Sequence, residues 1–151
     1  MKNRVKSFLM IGQSNMAGRG YLHEVKPIIN ERIFMLRNGR WQMMVEPINC
    51  DRSVAGISLA ASFADAWCRE YKEGQIGRIP CAEGGSEVEE WDVGKALYNH
   101  AISEARFAMK SSQLTGILWH QGESDSMGGR YEKYSVQFFP NPDWPKKPPN
   151  P

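Results

Sequence analysis

Along this chain, short apolar runs that end in glycine turns alternate with longer stretches in which apolar residues recur every three or four positions. The first run, residues 5–11, stops at Gly12, as a buried strand followed by a sharp turn would. Ile33-Phe34-Met35-Leu36 opens a second extended segment that turns at Asn38-Gly39, a dipeptide that favours hairpin-type turns. Residues 75–81 form a third run, which leads into Glu83-Gly84-Gly85-Ser86. Residues 114–120 form a fourth, which leads into Gln121-Gly122-Glu123-Ser124-Asp125. Between the runs, Leu59, Phe63, Ala66 and Trp67 recur at helical spacing behind a capping Ser58. Ala96, Leu97, His100, Ala101, Ala105 and Ala108 do the same between Gly94 and Ser111-Ser112. Strands alternating with helices predict an α/β fold with a mainly parallel sheet and helices on both faces. In such sheets, ligands sit beyond the carboxyl ends of the strands. From Tyr134 onward the chain has no period and is crowded with proline, so it is expected to be extended or disordered from Pro140.

The 151 residues are 41% hydrophobic and 24% charged, enough for one domain with its own core. The net charge is +2, and Lys and Arg are scattered among Asp and Glu, a pattern that does not call for nucleic acid as a partner. The basic start, Met1-Lys2-Asn3-Arg4, is followed by an apolar run shorter than the roughly seven residues of a signal h-region. No stretch approaches the roughly 18 apolar residues of a membrane helix. The expectation is a cytoplasmic protein with no membrane partner. Cys50, Cys68 and Cys81 are odd in number and widely spaced, which suits reduced, packed thiols better than disulfides or a zinc site. Neither Gly-x-Gly-x-x-Gly nor the Walker pattern occurs, so a nucleotide or phosphate site at the glycine turns is a weak reading.

Three of the predicted strands end in polar glycine turns, and a parallel sheet puts all three turns on one edge. Together they supply what acyl transfer needs: the Ser14 hydroxyl as nucleophile, backbone amides, and the Gln121 amide to donate to a developing oxyanion. Ser14 at the start of a helix would also sit at the positive end of its dipole. Singly, Ser14 reads as an N-cap and Gln121 as a loop amide; only the combination points to chemistry. Met16 stands where the Gly-x-Ser-x-Gly elbow of lipase-type hydrolases has its second glycine, so that fold is disfavoured.

Gly12-Gln13-Ser14-Asn15-Met16 is the first of three blocks that carry a resemblance. The second is Pro80-Cys81-Ala82-Glu83-Gly84-Gly85-Ser86 with Trp91 after it, and the third is Trp119-His120-Gln121-Gly122-Glu123-Ser124-Asp125. In this order they resemble the first three sequence blocks of the sialate O-acetylesterase and acetylxylan esterase group of SGNH hydrolases, over residues 4–133. The resemblance implies a flavodoxin-like three-layer α/β/α sandwich. It also implies an acyl-enzyme on Ser14 and an oxyanion hole formed by the Ser14 amide, a Gly84 or Gly85 amide and the Gln121 side chain. Gln13, Asn15 and Glu123 are the implied substrate contacts. The implied substrate is a small-molecule or oligosaccharide acetyl ester, with no metal and no cofactor.

Members of this group end in an Asp-x-x-His block that supplies the general base. Here the histidines are His23, His100 and His120, preceded at three residues by Gly20, Leu97 and Ile117, so this sequence has no such block. The group's remaining helix and last strand should follow Tyr131-Glu132-Lys133-Tyr134, where the proline-rich stretch stands instead. The abrupt change there favours a truncated or frame-shifted copy of a longer esterase over a genuine short variant. Residues 1–134 are then an incomplete SGNH hydrolase-like domain and residues 135–151 a tail. Neighbouring strand residues face opposite ways, so His120 and Gln121 should not both face Ser14 unless the strand has ended. His120 is read as a packed or hydrogen-bonded histidine and His100 as structural. Glu123 and Asp125 either orient a base or, as the preferred reading, cap the following segment. Losing the histidine of a serine hydrolase triad costs about 10⁶ in rate and leaves roughly 10³ to 10⁴ over water. The expectation is a poor esterase or, as the alternative, an inactive remnant that at most binds acetylated sugar. A missing strand would leave an open sheet edge, at which a homo-oligomer could pair.

Overall fold

The structure is a computed structural model that describes residues 4–126. The proline-rich stretch of residues 135–151, and the region where a last helix and strand were expected, lie outside the described residues. The elements follow in the order β1 (Val5–Gly12), α1 (Ser14–Ala17), β2 (Ile33–Arg37), β3 (Arg40–Met43), α2 (Ala60–Glu70), β4 (Ile76–Pro80), a 3₁₀ turn (Val88–Trp91), α3 (Ala96–Met109) and β5 (Ser112–His120). One sheet in the order β3-β2-β4-β1-β5 contains all five strands. It is parallel throughout except for the β2–β3 hairpin. That hairpin turns on Asn38 and Gly39, both at positive φ (53° and 71°), the backbone that a two-residue hairpin turn of matching twist requires.

Side-chain alternation along β1 sets the layers. Met10 points into a cluster with Ile33, Met35, Ile76 and the α2 residues Ala60, Ala64 and Cys68. Leu9 and Ile11 point the other way, against Leu36, Ile79 and the α3 residues Ala101, Ala105 and Ala108. The fold is therefore an α/β/α sandwich, as the sequence implied. Both helices press small side chains onto the sheet. In α2 the buried positions are Ala60, Ala61, Ala64 and Cys68, while Phe63 and Trp67 are only partly covered and Ala66 is exposed. The N-cap position is held by Leu59, which has no side-chain cap, and Ser58 just before it accepts a hydrogen bond from Ala60 N–H at 3.1 Å. In α3 the buried stripe is Tyr98, Ala101, Ile102, Ala105 and Ala108. His100 is exposed, contrary to its placement on the apolar side. It lies one residue, about 100° of helical rotation, from Ala101 at the centre of the stripe.

Arg78 is the one charged residue of β4 and is fully buried, with 0% of its surface exposed. Its guanidinium lies 5.2 Å from the Phe8 ring centroid and 4.7 Å from that of Phe63, and donates to Gly77 O at 3.1 Å. Nη2 finds no hydrogen-bond partner, and burial pushes the group down to about 9, still charged at neutral pH. An unpaired buried charge costs more than an apolar side chain of similar length. Arg78→Met is therefore expected to raise stability at pH 7 by about 2 kcal/mol in urea unfolding. A guanidinium lowered in the fold penalises the native state only while charged, so the gain should shrink as pH rises above about 9. A variant less stable than the wild type would contradict this account.

Candidate active site

The carboxyl ends of β4, β1 and β5 lie side by side, and each runs into one of the three glycine turns. Backbone bonds tie the turns together: Glu83 N–H donates to Gly12 O at 2.9 Å, and Gln13 N–H donates to His120 O at 3.0 Å. Gly12 itself sits at φ 132°, and a Cβ there would lie 2.0 Å from His120 O. Only glycine lets β1 and β5 approach this closely just ahead of Ser14.

Ser14 is half-buried and opens α1, and its Oγ donates to Glu123 Oε2 at 3.3 Å. The other carboxylate oxygen, Oε1, is 3.6 Å from His120 Nε2. His120 closes β5 with a half-exposed side chain and forms no hydrogen bond with Ser14. Glu123 thus stands between the serine and the histidine rather than capping the following segment. α1 is a single turn of four residues, so the helix dipole expected at Ser14 is that of one turn only.

Gln13 is buried, at 3% exposure. Its Oε1 accepts from Ser124 N–H at 3.1 Å and Gly122 N–H at 3.3 Å, and its Nε2 donates to Ser124 Oγ at 2.9 Å. Asn15 is exposed on α1. Gln121 Nε2 donates to Ser86 O at 2.7 Å and to Asp125 Oδ2 at 3.3 Å. Both amide protons are therefore engaged, and donation to an oxyanion requires Gln121 to release the longer bond. Asp125 caps backwards: its Oδ2 accepts from Val88 N–H, the start of the 3₁₀ turn, at 3.1 Å.

The Gly84-Gly85 turn is held from below by residues that belong to no motif in the sequence. Gly84 N–H donates to Asp51 Oδ2 at 2.9 Å, and Asp51 pairs with Arg19 at 2.6 Å with only 2% of its side chain exposed. A Cβ on Gly84 would lie 2.2 Å from Arg19 Nη2, so this glycine makes room for the ion pair. Asn49, also buried, donates to Ala82 O at 3.2 Å. Gly85 is different. It lies exposed at φ 80° with open space where a Cβ would stand, and its N–H makes no hydrogen bond among the described residues. Apolar and polar periodicity carries no signal for Arg19, Asn49 or Asp51, which sit in irregular segments; the turn they serve is the only pointer to them.

Cys81, next to this turn, is buried, and burial and then Glu104 push its thiol up, so it is no nucleophile. Cys68 is also buried and Cys50 is exposed, all three as free thiols. Among the described residues, no three His, Cys, Asp or Glu side chains gather as metal ligands. No helix among them is long and apolar enough to cross a membrane.

Residues 4–139, which contain all three turns, match the family described as carbohydrate esterase, sialic acid-specific acetylesterase. The chain belongs to this family. Its similarity to a probable carbohydrate esterase of Arabidopsis thaliana, At4g34215, is 32% identity over 139 residues, covering 78% of this chain and 54% of that protein. The X-ray structure of the Arabidopsis protein superposes with a TM-score of 0.74 at 30% identity, covering 81% of this chain and 59% of that one. The crystal structure of NanS shares the fold, with a TM-score of 0.66 at 18% identity over 90% of this chain and 59% of that one. The chain spans about half the length of the curated relative it matches. The sandwich described above is the fold it shares with the Arabidopsis protein.

Proposed function

We propose that this chain removes O-acetyl groups from carbohydrate through an acyl-enzyme on Ser14. The observation that carries the reading is the Ser14 hydroxyl donating to Glu123 Oε2 at 3.3 Å, in a member of a carbohydrate esterase family. Ser14 Oγ attacks the acetyl carbonyl carbon and its proton passes to Glu123. The Ser14 and Gly85 N–H groups receive the oxyanion, and Gln121 joins them if it lets go of Asp125. Collapse expels the sugar oxygen, which takes the proton back from Glu123. Water then attacks the acyl-serine by the same route and releases acetate. A carboxylate is a weaker base than an imidazole, so turnover with Glu123 as the proton acceptor is slow.

The substrate class follows from the family: an acetyl ester of a sugar or oligosaccharide, with no cofactor needed for the steps above. An organophosphonate should add once per chain, at Ser14, and hydrolysis of p-nitrophenyl acetate should exceed that of a Ser14→Ala control. A folded chain that takes no adduct and matches its control would sink the reading. That Ser14 Oγ donates to a carboxylate and not to an imidazole favours one second reading, a fold that binds acetylated sugar without turning it over. That reading expects calorimetric binding of acetylated xylo-oligosaccharide with no adduct on Ser14.

A further inference from the structure

The three glycine turns come from strands far apart in sequence, and one side chain of the first bonds the third directly and is linked to the second through Ser124. We propose that Gln13 is a positioning residue that locks the turns into a single site and holds Glu123 against Ser14. The inference deepens the esterase reading by naming what keeps its groups in register.

The amide orientation follows from its partners. Gly122 N–H and Ser124 N–H are both donors, so the Gln13 oxygen must face them, at 3.3 and 3.1 Å. The Nε2 group then faces Ser124 Oγ at 2.9 Å, and that hydroxyl, having accepted, donates onward to Gly85 O at 3.4 Å. Gln13 belongs to the first turn, grips the third on either side of Glu123, and reaches the second through Ser124. Glu123 lies between the two amides that Gln13 holds, so the place of its carboxylate against Ser14 Oγ depends on that grip. The Gln13 side chain is sealed from solvent at 3% exposure, so water does not take over these bonds when the amide is removed. The residue next to the nucleophile thereby sets the distance between the nucleophile and its proton acceptor.

The test uses the full chain. In the wild type, the Ser14 amide resonance should follow titration of the Glu123 carboxyl, and the response should vanish in Glu123→Gln, which serves as the reference. Gln13→Met keeps the length and removes every polar bond. We expect it to abolish the Ser14 response, to speed hydrogen exchange at Gly122 and Ser124 at least tenfold, and to slow phosphonate labelling of Ser14 more than tenfold, with exchange in β1 and β4 unchanged. Gln13→Glu keeps oxygen acceptors for both amides and should restore slow exchange at Gly122 and Ser124 together with much of the labelling rate. If Gln13→Met does not fold, Ser124→Ala removes the link to Gly85 alone and should slow labelling several-fold. Wild-type exchange, titration and labelling in the variant that folds would overturn the proposal. A wild type that shows the Ser14 response but takes no phosphonate would instead overturn the esterase reading and leave Gln13 in its place.

Discussion

Gly12→Ala should leave the chain barely able to fold, losing about 4 kcal/mol or more. Two costs combine at this position. The backbone stands at φ 132°, where an L side chain is strained by about 1 to 3 kcal/mol. The new methyl would lie 2.0 Å from His120 O and 2.6 Å from its carbonyl carbon, both backbone atoms of the neighbouring strand that cannot swing aside. Relief requires β1 and β5 to part at their ends, which breaks the bond from Gln13 N–H to His120 O and opens buried packing, a further cost of about 1 to 3 kcal/mol. Against a typical total of about 5 to 15 kcal/mol, that is a large fraction. Urea unfolding followed by circular dichroism measures it. Gly85→Ala is the control, because φ there is 80° but nothing stands within 4 Å of the added carbon. It should cost about 1 kcal/mol. Equal losses in the two variants would mean that strain alone, and not the close approach of the strands, explains Gly12.

The sheet was legible because its strands are short apolar runs with turn chemistry at both ends. Asn38-Gly39 closes a two-residue hairpin, and Gly12 ends β1, as their residue types predict. The helices were legible in extent but not in depth. Large residues such as Phe63 and Trp67 mark a helical face, yet Ala60, Ala64 and Cys68 are what touch the sheet, because close packing favours small side chains at the point of nearest approach. A buried Arg78 in a central strand contradicts the pattern altogether, and only its stacking on Phe8 and Phe63 makes sense of it. At the site, sequence blocks located the three turns but not the direction of the side chains in them. Gln13, a substrate contact by resemblance, is a buried clamp in the fold. Asp125, expected to cap the segment after it, instead caps a turn that precedes it by 37 residues. Such long-range partners have no local signature, since each is fixed by how the strands stack rather than by its neighbours in sequence.

Asp51→Ala is expected to be the most damaging change outside the three turns. The carboxylate accepts from Arg19 Nη2 at 2.6 Å and Nη1 at 3.4 Å and from Gly84 N–H at 2.9 Å, with 2% of its side chain exposed. Its removal leaves a largely covered guanidinium with only Gly18 O at 2.8 Å, and a turn amide with no partner. Breaking one side of a buried pair costs about 3 to 5 kcal/mol; Arg19 is a quarter exposed and partly solvated, so about 3 kcal/mol is expected here. Asp51→Asn keeps one acceptor oxygen for Gly84 N–H and should cost less, about 1 to 2 kcal/mol. The two variants also separate stability from the site. If the Asp51–Arg19 pair sets the pose of the Gly84-Gly85 turn, phosphonate labelling of Ser14 at a temperature where all variants are folded should fall in the order wild type, Asp51→Asn, Asp51→Ala. Labelling that stays constant across the series while stability drops would confine the pair to holding the fold and leave the Gly85 amide to be oriented by Ser124 and Gln13 alone.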